Sequence, residues 1–205
     1  MILWYTARGA GLAALILLTI STCLGALVTR RGPAHHIDRR YVLQYLHRVC
    51  AGFGLAVLAL HVGTILADSY AHVGWRGALI PFTSGYRAAW VGLGSIAAYT
   101  FVAVALLGLA RGRMAASPRG ARIWRALHCL AYLGWASAIW HGFLSGTDSE
   151  VGWVRLIYVA CLAAVLASVA ARLAMERSVR TADNRLGQVR RPARGQRPAV
   201  PEVTR

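Results

Sequence analysis

Five apolar blocks constrain the fold of this chain more than any other feature. They cover approximately residues 9–29, 44–67, 88–110, 124–145 and 152–172, and their connections carry glycine, proline and charge. About 20 apolar residues in a row are enough to cross the hydrocarbon core of a bilayer. Since unpaired backbone groups are not tolerated in lipid, such spans must be helical. The sequence therefore predicts an all-α integral membrane protein, a five-helix transmembrane bundle.

The composition agrees with this class. The 205 residues are 57% hydrophobic and only 15% charged, which is too apolar for an ordinary soluble domain. No basic region precedes the first apolar block, so we expect a retained helix there rather than a cleaved signal.

All 23 basic residues are arginine, and they lie mainly in alternate connections. If the N-terminus lies outside the cell, residues 30–48, 111–125 and 172–205 lie in the cytoplasm. These segments hold 19 of the 23 arginines. This is the positive-inside pattern of a membrane protein, and it explains the net charge of +16 without nucleic-acid binding. The C-terminus is then cytoplasmic.

Two parts of the chain are expected to behave differently. Residues 1–175 contain all five predicted spans and form one transmembrane domain. Residues 176–205 are rich in arginine, proline and polar residues and lack apolar periodicity. We expect this basic tail to be disordered beyond its first turns and to touch anionic lipid headgroups.

Two of the predicted spans each carry two histidines. His47 and His61 have i, i+14 spacing on the second span, and His128 and His141 have i, i+13 spacing on the fourth. Both spans are expected to run outward, which pairs His47 with His128 near the inner side and His61 with His141 near the outer side. At ~1.5 Å per residue the two pairs are roughly 20 Å apart in depth.

A haem iron with two histidine ligands needs this arrangement, because its two imidazoles must face each other at one depth from neighbouring helices. Two such sites would form an electron path across the bilayer. A single intramembrane histidine could instead bond a carbonyl of a neighbouring helix. Zinc is a weaker alternative, because each pair offers only two ligands where zinc takes three or four.

One detail does not follow from ideal geometry. At 100° per residue, an i, i+14 pair returns to within about 40° of the same helix face, but an i, i+13 pair ends about 140° apart. His128 and His141 would therefore not share a face on a straight helix. Gly134 and Gly142 are positions where the fourth span could bend.

These histidines resemble those of the ferric reductase-like transmembrane domain, the family that includes the membrane parts of ferric-chelate reductases and NADPH oxidases. That family is similar in placing two histidine pairs, with the same i, i+14 and i, i+13 spacings, on two non-adjacent spans. The similar region covers about residues 41–171. "LHR" at 46–48, "ALH" at 126–128 and "HGFLSGTD" at 141–148 look like bacterial members, which implies the bacterial cytoplasmic membrane.

The resemblance implies two b-type haems, an inner one held by His47 and His128 and an outer one held by His61 and His141. Electrons would cross between them. No G-x-G-x-x-G phosphate loop or flavin site is visible, so the donor would be a separate flavoprotein, a quinol or a small reductant. The acceptor would lie outside, as a metal chelate or as a protein, since the family also includes a stand-alone haem subunit that serves a periplasmic methionine sulfoxide reductase.

Several other residues are weaker candidates. Arg48 and Arg125 flank the inner pair and could bind haem propionates, or could simply anchor the inner interface. Arg76 and Arg87 could do the same outside, although a solvated loop is favoured there. Surface positions are expected for His35, His36 and His72. Tryptophans 4, 75, 90, 124 and 153 are typical of an interfacial belt, and the deeper Trp135 and Trp140 could stack near porphyrin or only pack.

The main alternative is a non-redox membrane transporter or assembly subunit with structural or proton-relaying histidines. Such a transporter is expected to show helices interrupted at the midplane, for which Gly92 and Gly94 are weak candidates. A haem protein that senses rather than transfers electrons is a further possibility. The sequence does not identify the donor, the acceptor or the oligomeric state.

Overall fold

The fold is known from a computed structural model, which describes residues 2–28, 37–69 and 72–189. Within these ranges no strand occurs and the regular elements are helices. In chain order they are α1 (Ile2–Leu27), α2 (Ile37–Ala67), α3 (Gly74–Leu79), α4 (Ala88–Leu109), α5 (Arg111–Met114), α6 (Pro118–His128), α7 (Leu130–Ser145) and α8 (Gly152–Val189).

Four helices in the described part of the chain are long and apolar enough to cross a membrane. They are Ile2–Leu27, Arg39–Ala67, Ala88–Leu109 and Gly152–Ala182. They correspond to the first, second, third and fifth predicted spans. The third agrees closely at both ends, whereas α1 and α2 begin well before the apolar blocks do. The structure is thus consistent with an integral membrane protein that has several apolar helices.

The fourth predicted span, 124–145, is not one uninterrupted helix. It is divided between α6 and α7, which meet at Cys129. The amide of Cys129 still bonds the carbonyl of Arg125 at 3.0 Å, but the next turn is closed by a three-residue bond from Tyr132 N to Cys129 O at 3.1 Å. A three-residue bond belongs to a 3₁₀ turn, which is wound more tightly than an α-helix. The apolar block is therefore helical but contains a local break.

The connection before this block is more helical than its composition suggested. Ser117 has an extended backbone, and its hydroxyl accepts a hydrogen bond from Gly120 N at 3.0 Å. Pro118 takes the first helical position, where its missing N–H has no partner to lose. This Ser-Pro start places the beginning of α6 six residues before the predicted span.

The long helices form two closely packed pairs, α1 with α2 and α4 with α7, while α8 packs mainly on α1. An internal cavity lies between the pairs. Successive long helices run in opposite directions, so residues 37–48, 111–128 and 172–180 meet at one end of the bundle, which we call the arginine-rich end.

A layer of apolar side chains occupies the middle of the bundle. Its buried members come from α1, α4, α7 and α8: Leu15, Leu18, Ala97, Phe101, Trp135, Cys161 and Val165. The outward faces of the long helices also expose large apolar side chains, among them Phe53, Leu106, Leu133 and Leu166, each at 60% or more. Water would be a poor solvent for such a surface, whereas lipid would not.

The basic tail starts as helix. The sequence led us to expect order only in the first turns after residue 176, and α8 extends to Val189. Arg172 and Glu176, one turn apart, form an ion pair at 3.2 Å on this extension. The residues after Val189 lie outside the described part of the chain.

Candidate functional site

The structure brings the four histidines of the second and fourth predicted spans together in the two predicted pairs. The ring centroids of His47 and His128 are 6.2 Å apart, and those of His61 and His141 are 6.3 Å apart. In both pairs the ring planes make an angle of 71°. One histidine of each pair comes from α2 and the other from the α6–α7 segment, so the pairs bridge the internal cavity.

Three of the imidazoles are held from behind by a backbone carbonyl. Nδ1 of His61 lies 2.7 Å from Ala7 O, Nδ1 of His47 lies 2.8 Å from Ser21 O, and Nδ1 of His141 lies 2.9 Å from Trp90 O. A carbonyl oxygen can only accept a hydrogen bond, so Nδ1 must donate. In a neutral ring Nε2 then carries a free lone pair, which is the form of histidine that binds a metal.

Two serines add to this arrangement. The hydroxyl of Ser21 donates to the carbonyl of His47 at 3.1 Å and lies 3.0 Å from its Nδ1. The hydroxyl of Ser145 lies 3.4 Å from Nδ1 of His141, a longer contact from the next turn of α7. Ser21 thus contacts both the ring and the backbone of one histidine, and nothing in the sequence pattern singles it out.

His128 is the exception among the four. Its Nδ1 atom is buried and makes no hydrogen bond of standard geometry within the described residues. The backbone carbonyl of Val104 is the group that interacts with it. Trp124, one turn earlier on α6, stacks on the His128 ring with centroids 4.9 Å apart and planes 17° apart.

A glycine on a neighbouring helix lies against each histidine. A Cβ atom built on Gly11 would be 3.0 Å from the His61 ring, on Gly25 3.2 Å from His47, on Gly94 2.6 Å from His141, and on Gly108 4.0 Å from His128. The first two lie on α1 and the others on α4. The bonded carbonyls of Ala7, Ser21 and Trp90 each precede their glycine by four residues, as Val104 precedes Gly108.

This glycine pattern was not part of the sequence prediction, although a signal was present. Gly11 and Gly25 have i, i+14 spacing, as do Gly94 and Gly108, and this is the spacing of His47 and His61. Gly134 and Gly142, expected as bending points, instead allow close packing. Cβ atoms there would lie 2.9 Å from Thr100 and 2.6 Å from the hydroxyl of Tyr158. The break at Cys129 is what departs from a straight helix.

The cavity between the helix pairs has a volume of 1590 Å³ and runs past all four histidines. Pockets for one drug-sized ligand measure about 300–1,000 Å³, so this cavity is large enough for more than one bound group. Side chains of the central apolar layer, including Leu15, Leu18 and Phe101, also line it. The two histidine pairs are thus separated by apolar surface.

Arginines surround the cavity at the arginine-rich end. Arg48 and Arg125, the two predicted from the sequence, both line it. Four more arginines do so as well: Arg40, Arg111, Arg172 and Arg180. The last two lie on α8, and Arg180 belongs to the first turns of the basic tail.

The opposite end of the cavity has a different charge pattern. Arg8 lines it and forms an ion pair with Asp148, which follows α7. Its guanidinium also lies 5.9 and 5.8 Å from the ring centres of Trp4 and Tyr5. Arg76 and Arg87 are not among the cavity-lining residues. Arg76 stacks on Trp75, and Arg87 donates to Leu144 O at 2.5 Å.

Three further residues singled out from the sequence, Trp135, Trp140 and His72, do not line the cavity. Trp135 is buried in the central layer and donates to the hydroxyl of Thr19 at 2.9 Å, and Trp140 is 55% exposed. Neither lines the cavity. His72 is exposed in the connection after α2. His35 and His36 lie outside the described residues.

The distance between the two histidine rings of each pair can be compared with the distance expected when both rings bind one haem iron. A bond from a metal to an imidazole nitrogen is about 2.0–2.1 Å, and the ring centre lies about 1.1 Å behind that nitrogen. Two imidazoles on opposite sides of one metal therefore have centroids about 6.2–6.4 Å apart. Both observed distances lie in this range, and both sites adjoin an apolar cavity. Within the described residues no three His, Cys, Asp or Glu side chains gather as a metal-binding group. The residues fit a group that takes two axial histidines.

The sequence matches no protein-family model, and no curated protein and no solved structure shows significant similarity to it. The function is therefore inferred from the geometry of this chain.

Proposed function

We propose that this chain is a membrane protein that holds two b-type haems and carries electrons across the bilayer, as the ferric reductase-like domains that it resembles do. The main support is the pair of histidine sites, with centroids 6.2 and 6.3 Å apart and the same 71° between ring planes. If the histidines had only structural roles, the two pairs would not be expected to share the same geometry.

The chain's own residues prepare each site before any ligand binds. Backbone carbonyls hold three of the four rings in the tautomer that leaves Nε2 free. The glycines let the helices approach the rings closely, and the apolar layer keeps water away from the space between the pairs. A haem held by two imidazoles would supply one-electron oxidation and reduction, with a potential set by its ligands and burial.

We propose five crossings, with α6 and α7 together forming the fourth. The alternating directions of the helices support this, because α7 must return the chain from the arginine-rich end before α8 begins. By the positive-inside rule the arginine-rich end is cytoplasmic, which places His47 and His128 inside and His61 and His141 outside. The location would be the bacterial cytoplasmic membrane, as the sequence resemblance implies.

We propose that arginines at the cavity rim bind carboxylate groups of the haems. Guanidinium groups pair with carboxylates through strong, charge-assisted hydrogen bonds. Arg48 and Arg125 are the inner candidates from the sequence, and Arg111 joins them because it also lines the cavity. On the outer side Arg8 replaces Arg76 and Arg87 as the candidate.

The partners follow from this arrangement. The donor would be a separate flavoprotein or a quinol that reaches the inner side, and the acceptor would be a protein or metal chelate outside. The chain's chemistry would then be outer-sphere electron transfer, which needs no nucleophile or general base.

The test is the haem content of the purified protein and of single alanine variants. The proposal expects a reducible b-type spectrum with about two haems per chain. His47→Ala or His128→Ala should remove one haem, and His61→Ala or His141→Ala should remove the other. His72→Ala, an exposed histidine outside the cavity, is the matched control and should keep both. A colourless protein from cells with ample haem would contradict the proposal.

A further inference from the structure

The backbone contact of His128 has poorer geometry than those of the other three imidazoles, because its Nδ1 interacts with Val104 O without a standard hydrogen bond. Each of those rings donates from Nδ1 to a backbone carbonyl at 2.7–2.9 Å. The buried Nδ1 of His128 makes no such bond of standard geometry within the described residues. An imidazole held only loosely at Nδ1 can rotate about its last side-chain bond, and such rotation would spoil a metal ligand. A second contact would therefore help to hold the plane of this ring.

Trp124 supplies that contact. Its indole lies nearly parallel to the His128 ring, with 4.9 Å between centroids and 17° between planes. The separation is within the range of offset-stacked aromatic rings, which contribute about 0.5–1.5 kcal/mol beyond simple burial. The two residues are four apart on α6, so they lie on one helix face and their stacking is local.

Trp124 is itself fixed from two sides. Its indole N–H donates to the carbonyl of Leu107 at 2.8 Å. The guanidinium of Arg111 lies 5.3 Å from the centre of its ring, within the range of a cation–π contact. Leu107 is on α4 and Arg111 is on α5, so the indole is tied to a neighbouring part of the bundle and can transmit that rigidity to His128.

We propose that Trp124 is a positioning residue for His128, and that its stacking reinforces a backbone contact, with Val104 O, that lacks the standard hydrogen-bond geometry of the other three histidines. This inference rests on the proposed haem function. It departs from the sequence interpretation, in which Trp124 was one of several interfacial tryptophans. The inner site therefore differs from the outer one, because one of its rings is held by stacking as well as by a backbone carbonyl.

The experiment compares Trp124→Leu and Trp124→Phe with Trp140→Leu in the full-length purified protein. Trp140 is the control because it precedes His141 in sequence, is 55% exposed and does not line the cavity. Each variant is measured for haem per chain, for the two midpoint potentials in a redox titration, and for the low-spin electron paramagnetic resonance signals, which depend on the orientation of the axial imidazoles.

Trp124→Leu should lower the haem content from about two to about one per chain, with the outer signals unchanged. Trp124→Phe retains a flat ring but loses the bond to Leu107, so it should keep most of the haem and shift the resonance signal of the inner site. Trp140→Leu should match the parent protein. If Trp124→Leu does not fold, the signal of Trp124→Phe decides, and an unshifted signal overturns the inference.

The proposed function and this inference fail in different ways. If His128→Ala keeps both haems, the haem assignment itself is wrong. If His128→Ala removes one haem while Trp124→Leu keeps both with unchanged potentials and signals, the role of Trp124 is wrong and the haem assignment stands.

Discussion

Gly94 on α4 lies so close to the imidazole of His141 that a Cβ atom at position 94 would be 2.6 Å from Nδ1. Such a separation is too short for any real contact, so something would have to move. The ring cannot easily move, because its Nδ1 is bonded to Trp90 O on the same α4 helix. Gly108 lies further along α4 beside His128, but there the corresponding distance is 4.0 Å, an ordinary contact.

Gly94→Ala should therefore displace His141 and remove the outer haem, lowering the haem content from about two to about one per chain. Helix propensity alone predicts that the substitution stabilises the protein, because alanine is favoured over glycine in a helix by up to about 1 kcal/mol. The measurement is the haem content of the purified variant together with its reduced-minus-oxidised spectrum.

Gly108→Ala is the matched control, since it makes the same change on the same helix without the close approach. It should keep both haems. Gly63, where a Cβ atom would meet nothing within 4 Å, is a second control. Equal haem content in the Gly94 and Gly108 variants would show that the close approach has no consequence for the site.

Much of this site could be predicted from the sequence because helix geometry converts spacing into depth. The rise of ~1.5 Å per residue was enough to pair His47 with His128 and His61 with His141. The structure reproduces both pairs. The backbone carbonyls that bond the histidine rings could not be predicted in the same way. Ala7 and Trp90 carry no side-chain signal, and their roles depend on which helices are neighbours.

Other features had no local sequence signal. The break at Cys129 involves neither proline nor glycine, so nothing marked it in advance. Its tighter turn adds rotation between His128 and His141, which reduces the angular offset expected for this pair on an ideal helix. The length of the helix in the tail could not be predicted for a different reason. Apolar periodicity identifies buried helix faces, whereas residues 176–182 of α8 are mostly polar and exposed.

Ser21→Ala tests which atom of residue 21 orients His47. The substitution removes a hydroxyl that lies 3.0 Å from Nδ1 and donates to His47 O, but it leaves the Ser21 carbonyl at 2.8 Å. The variant should keep both haems and lose about 1 kcal/mol of stability, the usual net value of a hydrogen bond. Thermal loss of haem absorbance in detergent measures this effect.

Ser178→Ala is a suitable comparison. That serine is exposed and bonds only within its own helix, to Ala174 O at 3.1 Å, so its loss should change the midpoint temperature very little. Loss of a whole haem from the Ser21 variant would mean that the hydroxyl, and not the carbonyl, orients the ring.

The ion pair of Arg8 with Asp148 joins the start of α1 to the segment after α7. The two side chains are 25% and 38% exposed, so solvent screens the attraction. A double-mutant cycle with Arg8→Gln and Asp148→Asn should give a coupling of about 0.2–1 kcal/mol, as other exposed pairs do. Thermal unfolding of the four proteins supplies the values. A coupling of several kcal/mol would show that this end is much drier than its exposure indicates.

The number of crossings can be tested by labelling single cysteines in intact cells. The four native cysteines would first be replaced, and probes introduced one at a time as Arg76→Cys, Ala116→Cys and Glu150→Cys, all at exposed positions. If α6 and α7 together cross the membrane, a membrane-impermeant maleimide should label positions 76 and 150 from outside. It should label position 116 only after permeabilisation, because the arginine-rich end is then cytoplasmic. If position 150 instead behaves like position 116, only four helices cross, and the two histidines of α6 and α7 cannot lie at the depths that a transmembrane electron path requires.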